Sequence, residues 1–241
     1  MIFLRSLLFN AIFFSFTAVT MIVILPFGLV NAGFVRPAAG YWARAVVWLL
    51  RAICGIRLVV EGRQNLPAGP CVIASKHQSA FDTIIWFALV PGCTYVLKQE
   101  LMRIPLYGML ARRMEMIPVD RAGGGSALKA MVRASMAALR KGRQIIIFPE
   151  GTRVDPGQTG RYQPGVVAIA HSMKGAPVIP VATNSGTCWG RRMLHKPPGT
   201  IALEILPALP TGLTKAEFMA RLEGAIEPAT KRLEDRFPAQ A

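Results

Sequence analysis

The first segment of the chain is apolar: residues 6–35 contain no charged side chain, and Arg5 and Arg36 close its two ends. As a helix this segment would be about 45 Å long, which exceeds the ~30 Å hydrocarbon thickness of a bilayer. Pro26 lies inside it and permits a kink. The run is too long for the apolar part of a cleaved signal peptide. The pattern therefore predicts a membrane anchor, and it leaves open whether the helix crosses the bilayer or enters and returns.

A second helical pattern covers residues 41–53 and differs from the first because it carries charge. Arg44 and Arg51 fall on one helical stripe, whereas apolar residues occupy the other faces. Three residues are of the types that favour the headgroup layer: Tyr41, Trp42 and Trp48. This pattern predicts an interfacial helix, so residues 1–55 are assigned to a membrane-anchoring pair of hydrophobic helices. Basic residues after Arg36 predict that the remaining chain lies on the cytoplasmic side of the cytoplasmic (inner) membrane.

Short apolar runs alternate with helical patterns after Gly55, and we assign residues 56–241 to one domain. The candidate strands are 56–61, 71–75, 94–97, 144–148, 178–183 and 200–206. Strands that alternate with helices favour an α/β fold with a single mixed sheet sandwiched by helices. Pro180, inside one candidate strand, indicates an edge strand or a bulge.

Two helices of this domain have recognisable ends. Ser126 is expected to cap a helix that ends at Gly142. Near the end of the chain, Thr214 and Glu217 have the spacing of a capping box. The helix that begins there is expected to kink or stop at Pro228.

Composition supports a membrane-associated protein. Apolar residues make up 52% of the 241 residues, charged residues only 17%, and the formal net charge is +15. An apolar and basic chain suits an anionic membrane surface or phosphorylated ligands. Nucleic acid is not predicted as a partner, because the chain has no dense Lys/Arg run, zinc spacing or nucleic-acid-binding motif. The four cysteines are far apart, and Cys54 and Cys71 have the apolar neighbours of buried core residues.

The segment 75–82 carries the first candidate chemistry. It follows an apolar strand and opens a helix, which places His77 in the turn at the end of the sheet. Asp82 lies about one helical turn further on, so its carboxylate can reach the imidazole. A carboxylate on one ring nitrogen makes the other a better base, and such a base can take a proton from an alcohol. Alone, this spacing is weakly specific.

Two further segments predict an anion site. Glu150, Gly151, Thr152 and Arg153 follow the apolar strand 144–148; glycine permits close backbone approach, and arginine offers a planar fork for phosphate oxygens.

Arg121 precedes the glycines 123–125 and the amino end of a helix, where an anion is favoured. The glycines themselves are interpreted as a flexible turn.

Other chemistry is disfavoured. No metal site is predicted, because His77, His171 and His195 are scattered. His171 is assigned to helix packing, and His195 to a basic surface with Arg191, Arg192 and Lys196. Ser79 is not favoured as a nucleophile, since no second base is evident.

Taken in chain order, the segments that contain His77, Arg121 and Arg153 resemble three sequence motifs of the glycerolipid acyltransferase superfamily. Within that superfamily they are most similar to the bacterial 1-acyl-sn-glycerol-3-phosphate acyltransferases. The resemblance covers about residues 58–210. His77 and Asp82 match the first motif and residues 148–153 match the third in full, whereas only Asp120 and Arg121 match the second firmly. The segment from Lys98 to Gly108 also resembles the family, but Gln163 stands where the family often has lysine.

The resemblance implies that His77 and Asp82 are catalytic and that His77 deprotonates the sn-2 hydroxyl of lysophosphatidic acid. The oxygen then attacks an acyl thioester, either acyl-CoA or acyl-carrier protein, and gives phosphatidic acid for phospholipid synthesis without a cofactor. The substrate-binding residues implied are Arg121, Glu150, Gly151, Thr152, Arg153 and Lys98. Two alternatives stay open: another acceptor (glycerol 3-phosphate or a lyso-aminolipid), and a non-catalytic basic module that binds membrane lipids.

Overall fold

The computed structural model describes residues 1–173 and 175–239. The strands are β1 Ile56–Glu61, β2 Val72–Ser75, β3 Thr94–Lys98, β4 Ile117–Val119, β5 Ile145–Ile147, β6 Val178–Thr183 and β7 Gly199–Ile205. The helices are α1 Ile2–Val30, α2 Val35–Leu49, α3 Asp82–Leu89, α4 Tyr107–Arg113, α5 Gly124–Arg140, α6 Pro164–Ser172, α7 Ser185–Cys188 and α8 Lys215–Arg236. Short helical turns of other types follow α1, α2, β1 and β3.

All seven strands form one sheet in the order β1-β7-β6-β2-β5-β3-β4. Five neighbouring pairs are parallel, and β6 with β7 is antiparallel. The prediction of a single mixed sheet in an α/β fold is therefore confirmed. Chain order and spatial order differ at one important point, because β5 lies between β2 and β3.

Alternation along the central strands produces a core on each face of the sheet. In β2, Ile73 packs in the cluster that includes residues of α2, α3 and α4, whereas Val72 and Ala74 pack in the cluster with α5, α6 and α8. In β5, Ile146 faces the first cluster and its two neighbours face the second. A strand buried on both faces reads as a continuous apolar run, which is why the central strands could be predicted. The four cysteines are free and buried, as expected for Cys54 and Cys71.

The edge position predicted for Pro180 and the helix stop predicted at Pro228 were wrong. Pro180 lies in an interior strand, and its carbonyl accepts a hydrogen bond from Leu206 at 3.0 Å, just beyond the last β6–β7 pair. Because proline has no N–H, Pro180 cannot return the second hydrogen bond of this pair. Helix α8 continues through Pro228 to Arg236, because Ala229 and Leu233 beyond the proline are buried against the sheet.

The amino end of α5 also differs from the prediction. Its N-cap is Gly123, and the Ser126 hydroxyl lies within the first turn, where it donates to the Gly123 carbonyl at 2.8 Å. Gly142 has a positive φ of 75° just after the helix, as its predicted role in the helix end requires. Strand β4 was not predicted, since three residues with a central proline show no periodicity; as an edge strand it tolerates Pro118.

Both ends of the apolar helix α1 contact the sheet domain. Near its start, the backbone N–H of Lys196 donates to the Ser6 hydroxyl at 2.9 Å, and the Lys196 ammonium donates to the Asn10 side chain at 2.7 Å. Just beyond its end, the Arg36 guanidinium donates to the carbonyls of Gly92 and Met114, at 2.8 and 2.5 Å.

Lys196 was expected on a basic surface, and this was wrong: it is 1% exposed. Burial lowers the pKa of its ammonium group to about 8. The lysine therefore joins α1 to the domain.

The capping box of α8 is confirmed and provides a stability test. The Glu217 N–H donates to the Thr214 hydroxyl at 3.3 Å, and the Glu217 carboxylate accepts from the Thr214 N–H at 2.8 Å. Thr214→Ala is expected to lower the free energy of unfolding by about 0.5–2 kcal/mol. Urea unfolding of the detergent-solubilised protein measures this change. Thr211→Ala, at an exposed position of the preceding turn, is the matched control and should change stability by less than about 0.5 kcal/mol.

Candidate active site

The predicted site residues follow the carboxyl ends of four adjacent parallel strands. His77 follows β2, Gly151 follows β5, Lys98 ends β3 and Arg121 follows β4. Carboxyl ends of parallel strands meet at one edge of a sheet, where α/β proteins place their ligands. The insertion of β5 between β2 and β3 brings the third sequence block directly beside the first.

His77 and Asp82 form a hydrogen-bonded pair. The Nδ1 atom of His77 lies 3.1 Å from Oδ2 of Asp82, and Asp82 is the first residue of α3, as predicted. The same oxygen accepts the backbone N–H groups of Gln78 at 2.7 Å and Ser79 at 2.8 Å, so the carboxylate is held by the turn that it closes. Asp82 is 2% exposed. With the proton on Nδ1, the Nε2 atom of His77 has the free lone pair required of a base.

The imidazole ring is also oriented by stacking. The Phe148 ring lies parallel to it, with centroids 4.1 Å apart and 19° between the planes. The His77 side chain is 13% exposed, so its ring is largely fixed while one edge stays accessible. Sequence reasoning placed Phe148 only at the start of the third block, because an aromatic residue at a strand end does not show which ring it will face.

Glu150 lies beneath the His77 turn. Its carboxylate has no exposed surface, and Oε1 lies 3.4 Å from the His77 backbone N–H nitrogen and 3.5 Å from the Lys76 ammonium nitrogen. Burial raises the pKa of Glu150 to about 7, and Lys76 acts in the opposite direction. Glu150 was expected to bind substrate; it is one of the residues that line the cavity described next, and its carboxylate lies beside the His77 turn.

A cavity of about 900 Å³ opens beside His77. Its walls are mostly apolar and extend from the sheet edge to the amino-terminal helices, with Met21 and Ile24 of α1 and Trp42 of α2 among them. The Trp42 indole N–H donates to the Thr17 hydroxyl at 3.1 Å, which joins the two helices along this wall. An elongated apolar ligand therefore fits between the helix pair and the sheet, with one end at His77.

Polar groups gather where the cavity meets the sheet edge. Arg121 and the first-turn residues Gly124 and Gly125 of α5 belong to the wall, and N–H groups of a first helical turn have no partner within the helix. The Arg121 guanidinium lies against Gly151, whose φ is +68°. Guanidinium and helix amino end together favour an anion here.

The remaining predicted residues divide between the wall and the surface. Lys98 and Thr152 line the cavity, and the Lys98 ammonium lies 3.2 Å from the Glu100 carboxylate. Arg153 is exposed and is not part of this wall; its carbonyl accepts a hydrogen bond from Arg191. The structure thus brings Arg121, but not Arg153, to the cavity.

Sequence reasoning missed a buried ion pair behind the site. Lys76 has no exposed surface, and its ammonium lies 2.7 Å from both carboxylate oxygens of Glu227 on α8. The available signal was a lysine directly after a buried strand, although its partner, 151 residues away, could not be identified from spacing. Among the described residues, no group of three or more His, Cys, Asp or Glu side chains is arranged to hold a metal ion.

Comparison with known proteins agrees with this geometry. A family model described as Acyltransferase matches residues 57–184, which is more than half of the chain. The chain is 40% identical over 168 residues to a 1-acyl-sn-glycerol-3-phosphate acyltransferase of Pseudomonas aeruginosa, covering 70% of this chain and 65% of the relative. It is 28% identical to the human 1-acyl-sn-glycerol-3-phosphate acyltransferase beta, covering 73% of this chain and 66% of that protein.

A solved structure shares the whole fold. The crystal structure of the 1-acyl-sn-glycerophosphate (LPA) acyltransferase PlsC from Thermotoga maritima superposes with a TM-score of 0.80, covering 97% of this chain and 98% of that one at 21% identity. The residues matched by the family model include the His77–Asp82 pair and the segment 148–153 at the same edge of the sheet. The chain belongs to the acyltransferase family. Its matches span less than two thirds of the length of the two curated relatives named above.

Proposed function

We propose that the protein transfers a fatty acyl group from a thioester to the sn-2 hydroxyl of lysophosphatidic acid, giving phosphatidic acid for phospholipid synthesis. The observation that carries this proposal is the position of the His77–Asp82 pair. It lies where the apolar cavity meets a cationic pocket, the part of the wall formed by Arg121, Lys98 and the first turn of α5. The relatives at 40% and 28% identity are named for this activity, which supports the same assignment here.

Direct transfer follows from the arrangement of the pair. Nε2 of His77 removes the proton of the acceptor hydroxyl, while Asp82 stabilises the imidazolium that forms. The alkoxide oxygen attacks the thioester carbonyl carbon, and the new C–O bond forms as the C–S bond breaks. The imidazolium returns its proton to the departing sulfur, so the products are an ester and a free thiol.

We assign the acceptor phosphate to the cationic pocket. Arg121 and the first turn of α5 bind phosphate oxygens, and Lys98 adds a second positive charge in the same wall. Gly151 and Thr152 line the cavity next to Arg121. Arg153 lies outside this wall in the structure, and we assign it a lesser, peripheral contribution to acceptor binding.

The protein is proposed to lie on one face of a membrane. Helix α1 is long and apolar enough to cross a bilayer, but both its ends contact the sheet domain through Ser6 and the adjoining Arg36. A helix so held lies along the domain and enters one leaflet. It exposes a row of large apolar residues: Phe3, Leu4, Leu7, Leu8, Ile12, Phe14, Val19, Ile22, Val23, Phe27, Leu29 and Val30. We therefore assign residues 1–55 as the anchor and residues 56–241 as the catalytic domain, on the cytoplasmic side of the inner membrane.

Purified protein in detergent micelles tests the proposal. Labelled acyl-CoA and acyl-carrier protein are each combined with lysophosphatidic acid, glycerol 3-phosphate and a lyso-aminolipid. Transfer to lysophosphatidic acid should be fastest, and the faster thioester identifies the donor. Faster transfer to another acceptor would reassign the substrate. Lipid binding without transfer to any acceptor would instead indicate a non-catalytic membrane module.

Arg121→Ala is expected to raise KM for lysophosphatidic acid by roughly 10- to 150-fold, because a charge-assisted hydrogen bond contributes about 1.5–3 kcal/mol. Arg121→Lys keeps the charge but loses the planar fork, so it should recover only part of the affinity. Steady-state kinetics with varied acceptor measure both variants.

Arg153→Ala is the matched comparison and should raise KM by less than Arg121→Ala. An acceptor without phosphate, monoacylglycerol, should be used equally by the wild type and Arg121→Ala. An equal loss with monoacylglycerol would contradict phosphate binding by Arg121.

A further inference from the structure

Two acidic residues of the C-terminal helix contact the residues on either side of His77. Glu227 and Glu234 are separated by two helical turns, about 10.5 Å, and lie on the same face of α8. Glu227 binds the Lys76 ammonium at 2.7 Å through both oxygens. Glu234 accepts a hydrogen bond from the Gln78 side-chain amide at 2.7 Å. Helix α8 therefore contacts the side chains of Lys76 and Gln78, the two residues that flank His77.

Both glutamates contact buried partners, and stability alone does not account for the Lys76–Glu227 ion pair. Lys76 is 0% exposed and Gln78 is 1% exposed. An ammonium group is costly to remove from water, and apolar residues of similar volume often stabilise a core as well or better. The Lys76–Glu227 pair is further bound by the Tyr162 hydroxyl, which donates to Glu227 at 2.8 Å. Such an arrangement restricts where the Lys76 ammonium can lie.

The residue that each glutamate contacts also contacts a carboxylate that orients His77. On one side, Oε1 of Glu150 lies between the Lys76 ammonium, at 3.5 Å, and the His77 backbone nitrogen, at 3.4 Å. On the other side, the backbone N–H of Gln78 donates to Asp82 at 2.7 Å, and Asp82 binds the His77 ring. A shift of the 76–78 segment would therefore disturb the hydrogen bond from the His77 backbone N–H to Glu150, or the hydrogen bond between the His77 ring and Asp82.

We propose that Glu227 and Glu234 are positioning residues that fix His77 for catalysis, the first through Lys76 and Glu150, the second through Gln78 and Asp82. The proposal rests on the proposed function, because it assumes that His77 is the base. Neither glutamate is part of the cavity wall, so both act on the catalytic step rather than on acceptor binding.

The charge of Glu150 provides an electrostatic test. The groups facing it are Lys76 and His77 from the β2 turn, Tyr162 from the segment before α6, and Glu227 from α8. Lys76 lowers the pKa of Glu150 and Glu227 raises it. Ionised Glu150 accepts the His77 N–H more strongly than the neutral acid does, so activity should fall as Glu150 is protonated.

Single substitutions should therefore shift the acid side of the kcat–pH profile in opposite directions. Lys76→Met raises the pKa of Glu150 and should move this limb to higher pH. Glu227→Gln lowers the pKa of Glu150 and should move the limb to lower pH, with a smaller shift than Lys76→Met because Glu227 acts less strongly on Glu150 than Lys76 does. Shifts in the same direction would overturn the proposal.

The rate at the pH optimum provides a second test. Glu227→Gln and Glu234→Gln should each lower kcat for acyl transfer by roughly 10- to 100-fold, with KM for lysophosphatidic acid within about twofold of the wild type. The matched control is Asp235→Asn, which removes a charge from the same helix at an exposed pair with Lys231. It should leave kcat unchanged.

The double variant Lys76→Met/Glu227→Met separates positioning from stability. It removes both buried charges, so its thermal midpoint should exceed that of either single variant. Its kcat should nevertheless stay low, because Glu150 has lost its connection through Lys76 to Glu227 of α8. Wild-type kcat in the double variant would overturn the proposal.

Hydrogen–deuterium exchange provides a measurement that does not depend on turnover. Peptides covering residues 73–83 should exchange faster in Glu227→Gln and Glu234→Gln than in the wild type or Asp235→Asn. Unchanged exchange in these peptides would overturn the positioning role even if no acceptor were used. Absence of transfer by the wild type, with the exchange difference present, would instead reject the proposed function.

Discussion

His77→Ala is expected to lower kcat for transfer to lysophosphatidic acid by roughly 10²- to 10⁴-fold, the contribution of a positioned general base. His77 lines the cavity and its Nδ1 binds Asp82, which leaves Nε2 as the proton acceptor that the substitution removes. KM should change little, because the phosphate pocket around Arg121 stays intact. Single-turnover and steady-state assays with labelled acyl donor measure the loss.

The fold must be retained for this result to be informative. His77→Gln keeps part of the side-chain volume against Phe148 and should show a similar loss of kcat. The matched control is His195→Ala, at an exposed histidine outside the cavity wall, which should retain activity within about twofold. If His77→Ala kept more than a tenth of wild-type kcat, the assignment of the base would be wrong.

Asp82→Asn is expected to cause the second largest loss, roughly 10²- to 10⁴-fold in kcat. The amide oxygen can still accept N–H groups of the turn, but it cannot stabilise the imidazolium electrostatically or define the tautomer as a carboxylate does. The loss should appear in kcat rather than in KM, because Asp82 is buried and does not contact the cavity.

Asp82→Ala distinguishes catalysis from folding at the same position. It leaves the N–H groups of Gln78 and Ser79 without the acceptor they have in the native turn, at about 1–3 kcal/mol for each unsatisfied group. Its thermal midpoint should therefore fall well below that of Asp82→Asn, although both variants lose kcat. Full activity in Asp82→Asn would show that the carboxylate charge plays no part in the reaction.

Local features with a strict physical signature were predictable. A central strand such as β2 is buried on both faces and therefore reads as an apolar run. The Thr214–Glu217 spacing defines a capping box whatever surrounds it. Short or proline-containing elements were less predictable: burial of Leu233 favours continuation of α8 through Pro228, and Pro180 lies in an interior strand of the sheet.

The site itself was predicted only in part. His77 and Asp82 are five residues apart, so their contact depends on one strand-to-helix turn that the local sequence encodes. The chemical types of Arg121, Gly151 and Arg153 indicated an anion site, but spacing could not show that Arg121 lies in the wall and Arg153 outside it. Their separation depends on the paths of two loops at the sheet edge.

The sequence by itself determined most of the elements, the apolar amino-terminal helix and the His77–Asp82 contact, because these depend on neighbours within one or two turns of chain. Only the tertiary structure decided that β5 enters between β2 and β3 and that α8 brings Glu227 to Lys76. A contact across 151 residues has no local periodicity. It forms because the sheet order and the two hydrophobic faces bring the groups together, and burial then makes their pairing necessary.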